Sequence, residues 1–222
     1  MTSRQTPHPA DPGAAGDLED PRSRILEACI DILAADGLQG LSHRSVEARA
    51  GVSHGSTTYY FKTRSALIDA VLEHLADTDA AVLRHALDAL SADGQADPAN
   101  ASGARVASGA RDAAGLRDAV AGMLGLLAAD RRTLLARFEL FLYAARQPRL
   151  QAAVAHWRQG FIDVGIAVLG RHGDPDPEGS ARFLGAALDG ILLHQLSAPS
   201  PVLERSGIER IEGLVSAARR KR

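Results

Sequence analysis

The sequence is poor in several residue types, and each shortage excludes a class of protein. Its 222 residues include one cysteine, Cys29, which excludes an intrachain disulfide framework and a cysteine-based zinc finger. The longest apolar run, Ala119–Ala129, is far shorter than the ~20 residues that a membrane-spanning helix needs. The first 20 residues lack the basic-then-apolar order of a signal peptide. We therefore expect a soluble, cytoplasmic protein with no membrane partner.

Lysine and the common catalytic motifs are scarce as well. Only Lys62 and Lys221 occur, so arginine carries nearly all the positive charge, and the formal net charge is −2. That balance excludes a globally basic nucleic-acid coat, so any nucleic-acid surface must be a local patch. The eight histidines form neither HxxxH nor HExxH, and the chain has no GxSxG motif and no glycine-rich phosphate loop. We expect no metal site, no cofactor and no enzymatic activity.

The residues that are abundant favour helices. Alanine, the best helix former, accounts for 41 of the 222 residues, and no stretch alternates convincingly between apolar and polar residues. Asp20-Pro21 is a typical helix start, and Gly37 is expected to end that first helix. Ser42, Ser53 and Thr63 are predicted to cap the next three helices, of which the last is long. The sequence predicts an all-α fold.

Helical periods continue in the C-terminal half. The second of its predicted helices has an apolar stripe through Leu134, Leu135, Phe138, Leu142 and Ala145. The predicted helices are Leu116–Ala129, Arg131–Arg146, Leu150–Leu169, Ser180–Leu196 and a short one near Ile208–Ala218.

Composition and helical periods predict the order of segments. A disordered arm (1–20) precedes a small N-terminal helical domain (21–66) and a larger C-terminal helical domain (67–218). Residues 91–112, rich in Gly, Ala, Ser and Asp, are predicted to be a flexible loop, and 219–222 to be a basic tail.

The most informative segment is 41–64, LSHRSVEARAGVSHGSTTYYFKTR. It carries four basic residues and one acid, Glu47, which gives +3 in a chain of −2. Two short helices joined by a tight turn at Gly51 are typical of a helix-turn-helix, whose second helix enters the major groove of DNA. The alternative is a helical hairpin in a core with a solvated charge cluster.

The predicted groove helix carries residues suited to DNA. Short polar side chains approach base edges closely, and Gly55 lets the backbone approach too. Hydroxyl and cationic groups at its end are suited to phosphates. The residues suited to bases are His54, Ser56, Thr57 and Thr58, and those suited to phosphates are Tyr59, Tyr60, Lys62 and Arg64.

This segment resembles the N-terminal DNA-binding domain of the tetracycline-repressor (TetR/AcrR) family over roughly residues 22–75. The matching elements are the AGVS turn (50–53), a small residue at 55, the aromatic YYF (59–61) and a basic residue three positions after Phe61. The resemblance implies an all-α homodimeric transcriptional regulator, usually a repressor released by a small molecule. Its N-terminal three-helix helix-turn-helix domain would be joined by a long helix to a C-terminal helical effector-binding and dimerisation domain.

Family positions imply roles for individual residues. Arg44, on the first helix of the motif, reaches the groove, and many members have an aromatic residue where this chain has Thr58. Whether His43 contacts DNA or is solvated stays open. The groove-facing positions are His54, Gly55, Ser56 and Thr58, and the phosphate-contact positions are Ser42, Tyr59, Tyr60, Lys62 and Arg64.

Aromatic residues concentrate in two adjacent C-terminal helices. This cluster is either a packed core or the lining of an effector cavity. The candidate ligand-binding residues are Met123, Arg137, Phe138, Phe141, Trp157 and Phe161.

A single groove helix reads too few base pairs for specificity, so a homodimer is expected. Its predicted interface is formed by helices 150–169 and 180–196. The small residues expected to permit close helix approach there are Gly160, Gly165, Gly185, Ala186 and Gly190. The function predicted is a sequence-specific regulator, a repressor released from a palindromic double-stranded operator by a small apolar or aromatic ligand. The alternatives are a ligand-independent repressor and an effector-dependent activator.

Overall fold

A computed structural model of the chain describes residues 20–92, 127–171 and 173–199, together with Gly122 and Gly125. These residues contain no strand, and the all-α prediction is confirmed. Four further described residues, at 122, 125, 127 and 128, are also helical. The helices with defined bounds are α1 (Pro21–Gly40), α2 (His43–Ala50), α3 (Ser56–Tyr60), α4 (Arg64–Ala92), α5 (Arg131–Ala144), α6 (Pro148–Arg171) and α7 (Pro177–Ser197).

Three of the predicted helix starts are confirmed by their hydrogen bonds. The Asp20 side chain accepts from the Arg22 backbone N–H before Pro21 begins α1. Ser42 and Ser45 form a reciprocal capping box at α2. The Thr63 hydroxyl accepts from the Ala66 N–H at 3.1 Å and so caps α4. Local chemistry alone fixes these boundaries.

Three other predictions about helices are wrong in detail. Helix α7 begins at Pro177 with Asp176 as its N-cap, three residues before the predicted start. Gly37 interrupts α1 with a non-helical conformation, but a last helical turn continues to Gly40. Ser53 does not cap α3, because its hydroxyl pairs with that of Ser56 and Gly55 occupies the N-cap position.

The buried face of α5 also differs from the predicted stripe. Leu142 is 57% exposed and Ala145 is exposed, whereas Ala136, Leu140 and Ala144 are buried. This row packs on α1. Leu134 of the predicted stripe is buried as well, so the buried face of α5 combines leucines with two alanines.

One hydrophobic cluster runs from α1 to α6 and crosses the predicted domain boundary between residues 66 and 67. Cys29 lies in it with no exposed surface, as predicted, and burial raises the pKa of its thiol to about 12. A second cluster joins α6 and α7, and Phe161 contacts both clusters. No helix in the described part of the chain is long and apolar enough to cross a membrane. The predicted arm before Asp20, the loop after Ala92, the last helix and the basic tail lie outside the described residues.

Candidate functional site

Helices α2 and α3 form the predicted helix-turn-helix, and two glycines make its turn possible. Gly51 ends α2 in the left-handed region, at φ 61° and ψ 35°, and Gly55 precedes α3 at φ 85°. Residues with a Cβ rarely adopt these conformations. A Cβ added at Gly55 would meet no atom within 4 Å, so the backbone is open on that side.

Glu47 holds the start of α3 in place. Its carboxylate is buried, and Oε1 accepts from the backbone N–H groups of Gly55, at 2.9 Å, and Thr57, at 3.2 Å. Its Oε2 lies 3.2 Å from Nδ1 of His54, whose side chain is 97% exposed. Helix α3 is thus capped by a residue of the preceding helix, which is why Ser53 is not needed as a cap.

The residues that the sequence assigned to DNA lie together on α2, α3 and the start of α4. Arg44 forms no ion pair within the described part of the chain. Tyr59 is 73% exposed and stacks edge-on against Tyr60, and the Lys62 ammonium lies 5.8 Å from the Tyr59 ring centre. The exposed members are Ser42, Arg44, His54, Thr58, Tyr59, Tyr60, Lys62 and Arg64, while Gly55 and Ser56 are half-buried. Thr57, by contrast, is fully buried.

Arg64 and His43 of this segment bind backbone carbonyl groups of the protein itself. The Arg64 guanidinium donates to the carbonyl oxygens of Leu41, at 2.8 Å, and Leu38. Nε2 of His43 donates to the Phe61 carbonyl oxygen at 2.8 Å, so His43 is not simply solvated. These contacts tie the beginning of α4 to the end of α1, and α2 to the end of α3.

Four of the six predicted ligand residues come together between α5 and α6. The Phe141 ring centre lies 5.0 Å from that of Trp157 and 6.3 Å from that of Phe138, both edge-on. The Arg137 guanidinium lies 5.8 Å from the Trp157 ring centre. Phe161 follows Trp157 by one helical turn on α6 and is half-buried. Met123 lies outside the described residues.

Asp79 of α4 binds one side chain of α5 and one of α6. Its carboxylate accepts from Nη2 of Arg137 at 2.7 Å and from Nε1 of Trp157 at 3.0 Å. Burial raises the pKa of Asp79, and the two donors oppose that rise by stabilising its charged form. On the outer side, Arg158 pairs with Asp189 of α7 at 2.6 Å and lies over the Phe141 ring. Burial likewise raises the pKa of Asp189, opposed by the charges of Arg158 and Arg137.

Helix α5 is also attached to the N-terminal helices. Arg132 donates to Asp31 at 2.7 Å and to Glu27 at 2.8 Å, both on α1. Asp31 lies 3.7 Å from Arg49 of α2, and Glu27 lies 3.3 Å from His74 of α4. This surface network joins α1, α2, α4 and α5.

Helix α7 leaves one apolar face without a partner among the described residues. Phe183 is 56% exposed and Leu193 is 47% exposed, and Ala186 and Gly190 between them are exposed as well. Their spacing of three and four residues places all four on one face. Gly165 of α6 has a different role from the one predicted, because a Cβ there would lie 2.9 Å from the Cβ of Ala181 in the same chain.

Two residues of the site, Glu47 and Asp79, were missed by the sequence analysis, although both carry a signal. Glu47 is the only acid in the basic segment 41–64. Asp79 continues the row of Leu67, Val71 and Leu75 at four-residue spacing, and an acid on a buried face needs a partner. A lone acid in a basic segment or in an apolar row therefore indicates a carboxylate with specific partners.

Comparison with known proteins supports the interpretation of both halves. Residues 111–220 match the family model described as the tetracyclin repressor-like C-terminal domain. An HTH-type transcriptional repressor of Mycobacterium tuberculosis is 39% identical over 57 residues, but these span 26% of this chain and only 30% of that protein.

Solved structures cover far more of the chain. A member of the TetR family from Streptomyces coelicolor A3 is 35% identical, with a TM-score of 0.62, over 88% of this chain and 98% of its own. The multidrug-binding protein EbrR, complexed with ethidium, is 31% identical, with a TM-score of 0.58, over the same shares of the two chains. The relatives named as regulators are not enzymes. From the resemblance of the motif, the match of the C-terminal domain and these structures, it follows that the chain belongs to the TetR family of transcriptional regulators.

Proposed function

We propose that the chain binds a palindromic operator as a homodimer and releases it when a small apolar or aromatic ligand binds. The observation that carries this proposal is the α2–α3 pair, where exposed polar and basic side chains cluster around a helix start fixed by Glu47. Residues 21–66 would form the DNA-binding domain and 67–218 the effector-binding and dimerisation domain, with α4 linking the two.

On DNA, we assign α3 to the major groove. Short side chains and the open backbone at Gly55 suit base edges, and the aromatic hydroxyls and cations suit phosphates. The proposed base-reading residues are Arg44, His54, Gly55, Ser56 and Thr58, and the proposed phosphate-contacting residues are Ser42, Tyr59, Tyr60, Lys62 and Arg64. Arg64 acts there while holding the α1–α2 corner through its carbonyl contacts.

Selection from random duplexes with the full chain identifies an operator, and fluorescence anisotropy then tests these roles. Arg44→Ala is expected to cost about 1–3 kcal/mol on the selected duplex and to relax base preference at one position. Lys62→Ala is expected to weaken binding to selected and scrambled duplexes alike and to reduce the salt dependence. Arg146→Ala, an exposed arginine at the end of α5, is the matched control. Unchanged binding by Arg44→Ala would show that the groove assignment is wrong.

The unpartnered face of α7 supports the proposed dimer, formed by α6 and α7 of two copies. A two-fold pairing of this face would cover Phe183 and Leu193. Leu193→Asp is therefore expected to lower the mass measured by light scattering from twice 23.4 kDa to 23.4 kDa and to abolish operator binding. Leu142→Asp, on an exposed leucine of α5, should leave the dimer intact. A wild-type mass of 23.4 kDa would contradict the dimer.

For the effector site, we propose Met123, Arg137, Phe138, Phe141, Trp157 and Phe161. EbrR, which is similar over most of the chain, is a multidrug-binding protein, and this supports a small-molecule ligand. Candidate compounds are titrated while Trp157 fluorescence and operator affinity are followed together. A ligand-independent repressor would keep its operator affinity with every compound that binds. Deleting the gene would lower reporter expression if the chain is an effector-dependent activator and would raise it if the chain is a repressor.

A further inference from the structure

Arg137 has a hydrogen-bond donor that the protein does not use. Its side chain is 6% exposed, and one of its amino groups binds Asp79. The Nε–H, however, is buried and has no acceptor among the described residues. A buried donor without a partner costs free energy, so such a group is uncommon unless something else supplies the acceptor.

The charges around Arg137 already balance. Arg137 pairs with Asp79, and Arg158 pairs with Asp189 on the neighbouring helix. The four groups sum to zero, so a ligand with a permanent charge would bring an uncompensated charge beside the buried pair of Arg137 and Asp79. The unused Nε–H can bind an acceptor oxygen or nitrogen of a ligand, whereas the balanced charges favour a ligand that carries no net charge.

A row of three aromatic rings leads away from the Arg137 guanidinium. Trp157 lies under the guanidinium, Phe141 packs edge-on against Trp157, and Phe138 packs against Phe141. Phe161, one turn after Trp157, is half-buried where the two hydrophobic clusters meet. Edge-on and offset-stacked arrangements are the ones that aromatic pairs prefer, so the ring of a ligand could pack against these side chains in the same way.

We infer that Arg137 selects the effector: the ligand is an uncharged aromatic molecule with an acceptor, such as a carbonyl oxygen, that binds the Arg137 Nε–H. This inference rests on the proposed function, because it names the ligand class of the same site. Arg137 acts as the polar anchor, and the phenylalanine rings and Trp157 contribute apolar contact. Permanent aromatic cations bind less well, since Asp79 and Asp189 already have arginine partners.

Two matched probe pairs test this class, 9-fluorenone against fluorene and 1-indanone against indane. In each pair the molecules share a ring system and differ in a carbonyl oxygen. Affinities for the full-length wild-type protein are measured by Trp157 fluorescence quenching, with ethidium as the cationic probe. Because hydrogen bonds to charged groups are the stronger ones, at least one ketone is expected to bind on the order of 10- to 100-fold tighter than its hydrocarbon. Ethidium is expected to bind more weakly than that ketone.

Arg137→Lys is the decisive variant. Lysine keeps the positive charge that pairs with Asp79, but a methylene takes the place of Nε. The preference for the ketone should fall to about twofold or less while the hydrocarbon affinity stays unchanged. Arg182→Lys, at the exposed pair with Glu178 on α7, is the control that should keep the preference.

An independent readout does not depend on the variant folding. The infrared carbonyl stretch of bound, isotope-labelled ketone should shift to lower frequency than in an apolar solvent, as it does when the oxygen accepts a hydrogen bond. Equal affinities within each pair, tighter binding of ethidium, an unshifted carbonyl band, or binding of neither ketone would overturn the inference. None of these results depends on operator binding, whose loss would instead contradict the proposed function.

Discussion

Glu47 and Asp79 are both more than nine-tenths buried, but they organise their regions through different partners. Glu47 accepts from backbone N–H groups eight and ten residues further along the chain and fixes one helix start. Asp79 accepts from side chains 58 and 78 residues away and joins three helices. The DNA-reading motif is thus held by a local contact, and the aromatic centre by long-range ones. The first can form with the motif itself, whereas the second requires the C-terminal helices to be in place.

The largest expected effect is the removal of the long-range carboxylate. Asp79→Ala leaves Arg137 charged, buried and unpaired and removes the acceptor of Trp157, so we expect a loss of about 3–5 kcal/mol in the free energy of unfolding. Urea denaturation followed by circular dichroism measures it. Asp79→Asn keeps an acceptor for Trp157 and separates the loss of charge from the loss of the hydrogen bond. A loss below about 1 kcal/mol for the alanine variant would show that Asp79 does not stabilise the fold more than Glu47 does.

A smaller effect on stability is expected for the local carboxylate. Glu47→Ala leaves the N–H groups of Gly55 and Thr57 without their acceptor and should cost about 1–3 kcal/mol. The loss in binding free energy for the operator should exceed the loss in the free energy of unfolding, because the direction of α3 is no longer fixed. Glu47→Gln, which retains a neutral acceptor, is expected to keep most of the stability. If operator affinity of the alanine variant were unchanged at a temperature where it is folded, Glu47 would not position α3.

The smallest effect should come from the surface network of α5. Arg132 is 38% exposed and pairs with Glu27 and Asp31, so Arg132→Ala is expected to cost about 1 kcal/mol or less. Salt screens such pairs, and the difference from wild type should shrink between 0.05 M and 1 M NaCl, whereas that of Asp79→Ala should not. Unfolding curves at the two salt concentrations make the comparison. Equal salt dependence for the two variants would mean that the buried and exposed networks do not differ as their geometry indicates.

The same contrast explains what could be predicted from the sequence. The starts of α1, α2 and α4 follow from Asp20, Ser42 and Thr63, whose partners lie within three residues. The start of α3 could not be predicted in this way, because Glu47 of another helix supplies the acceptor. The buried face of α5 depends on the shape of α1, and small residues such as Ala136 and Ala144 give no hydrophobic signal that reveals it.

The candidate site shows the same difference between residues that are close in the sequence and residues that only packing brings together. The exposed residues of α2 and α3 lie close together in the chain, so a short motif was enough to group them. The aromatic rings and Arg137 were grouped from two adjacent helices, but the carboxylates that pair with this group were not, because Asp79 lies on α4 and Asp189 on α7. Charge pairing across helices is a property of the packed chain rather than of any segment.

The hydrogen bonds from Arg64 to the carbonyl oxygens of Leu38 and Leu41 bear on which property of an operator an effector would change, the spacing of its half-sites or their bases. They join the first turn of α4 to the end of α1, so a tilt of this 29-residue helix, about 43 Å long, turns the three N-terminal helices together. The surface that meets the bases would keep its shape while its distance from the second copy changes. In the proposed dimer, an effector would therefore alter the preferred number of base pairs between the two half-sites and leave the preferred bases within each half-site as they were.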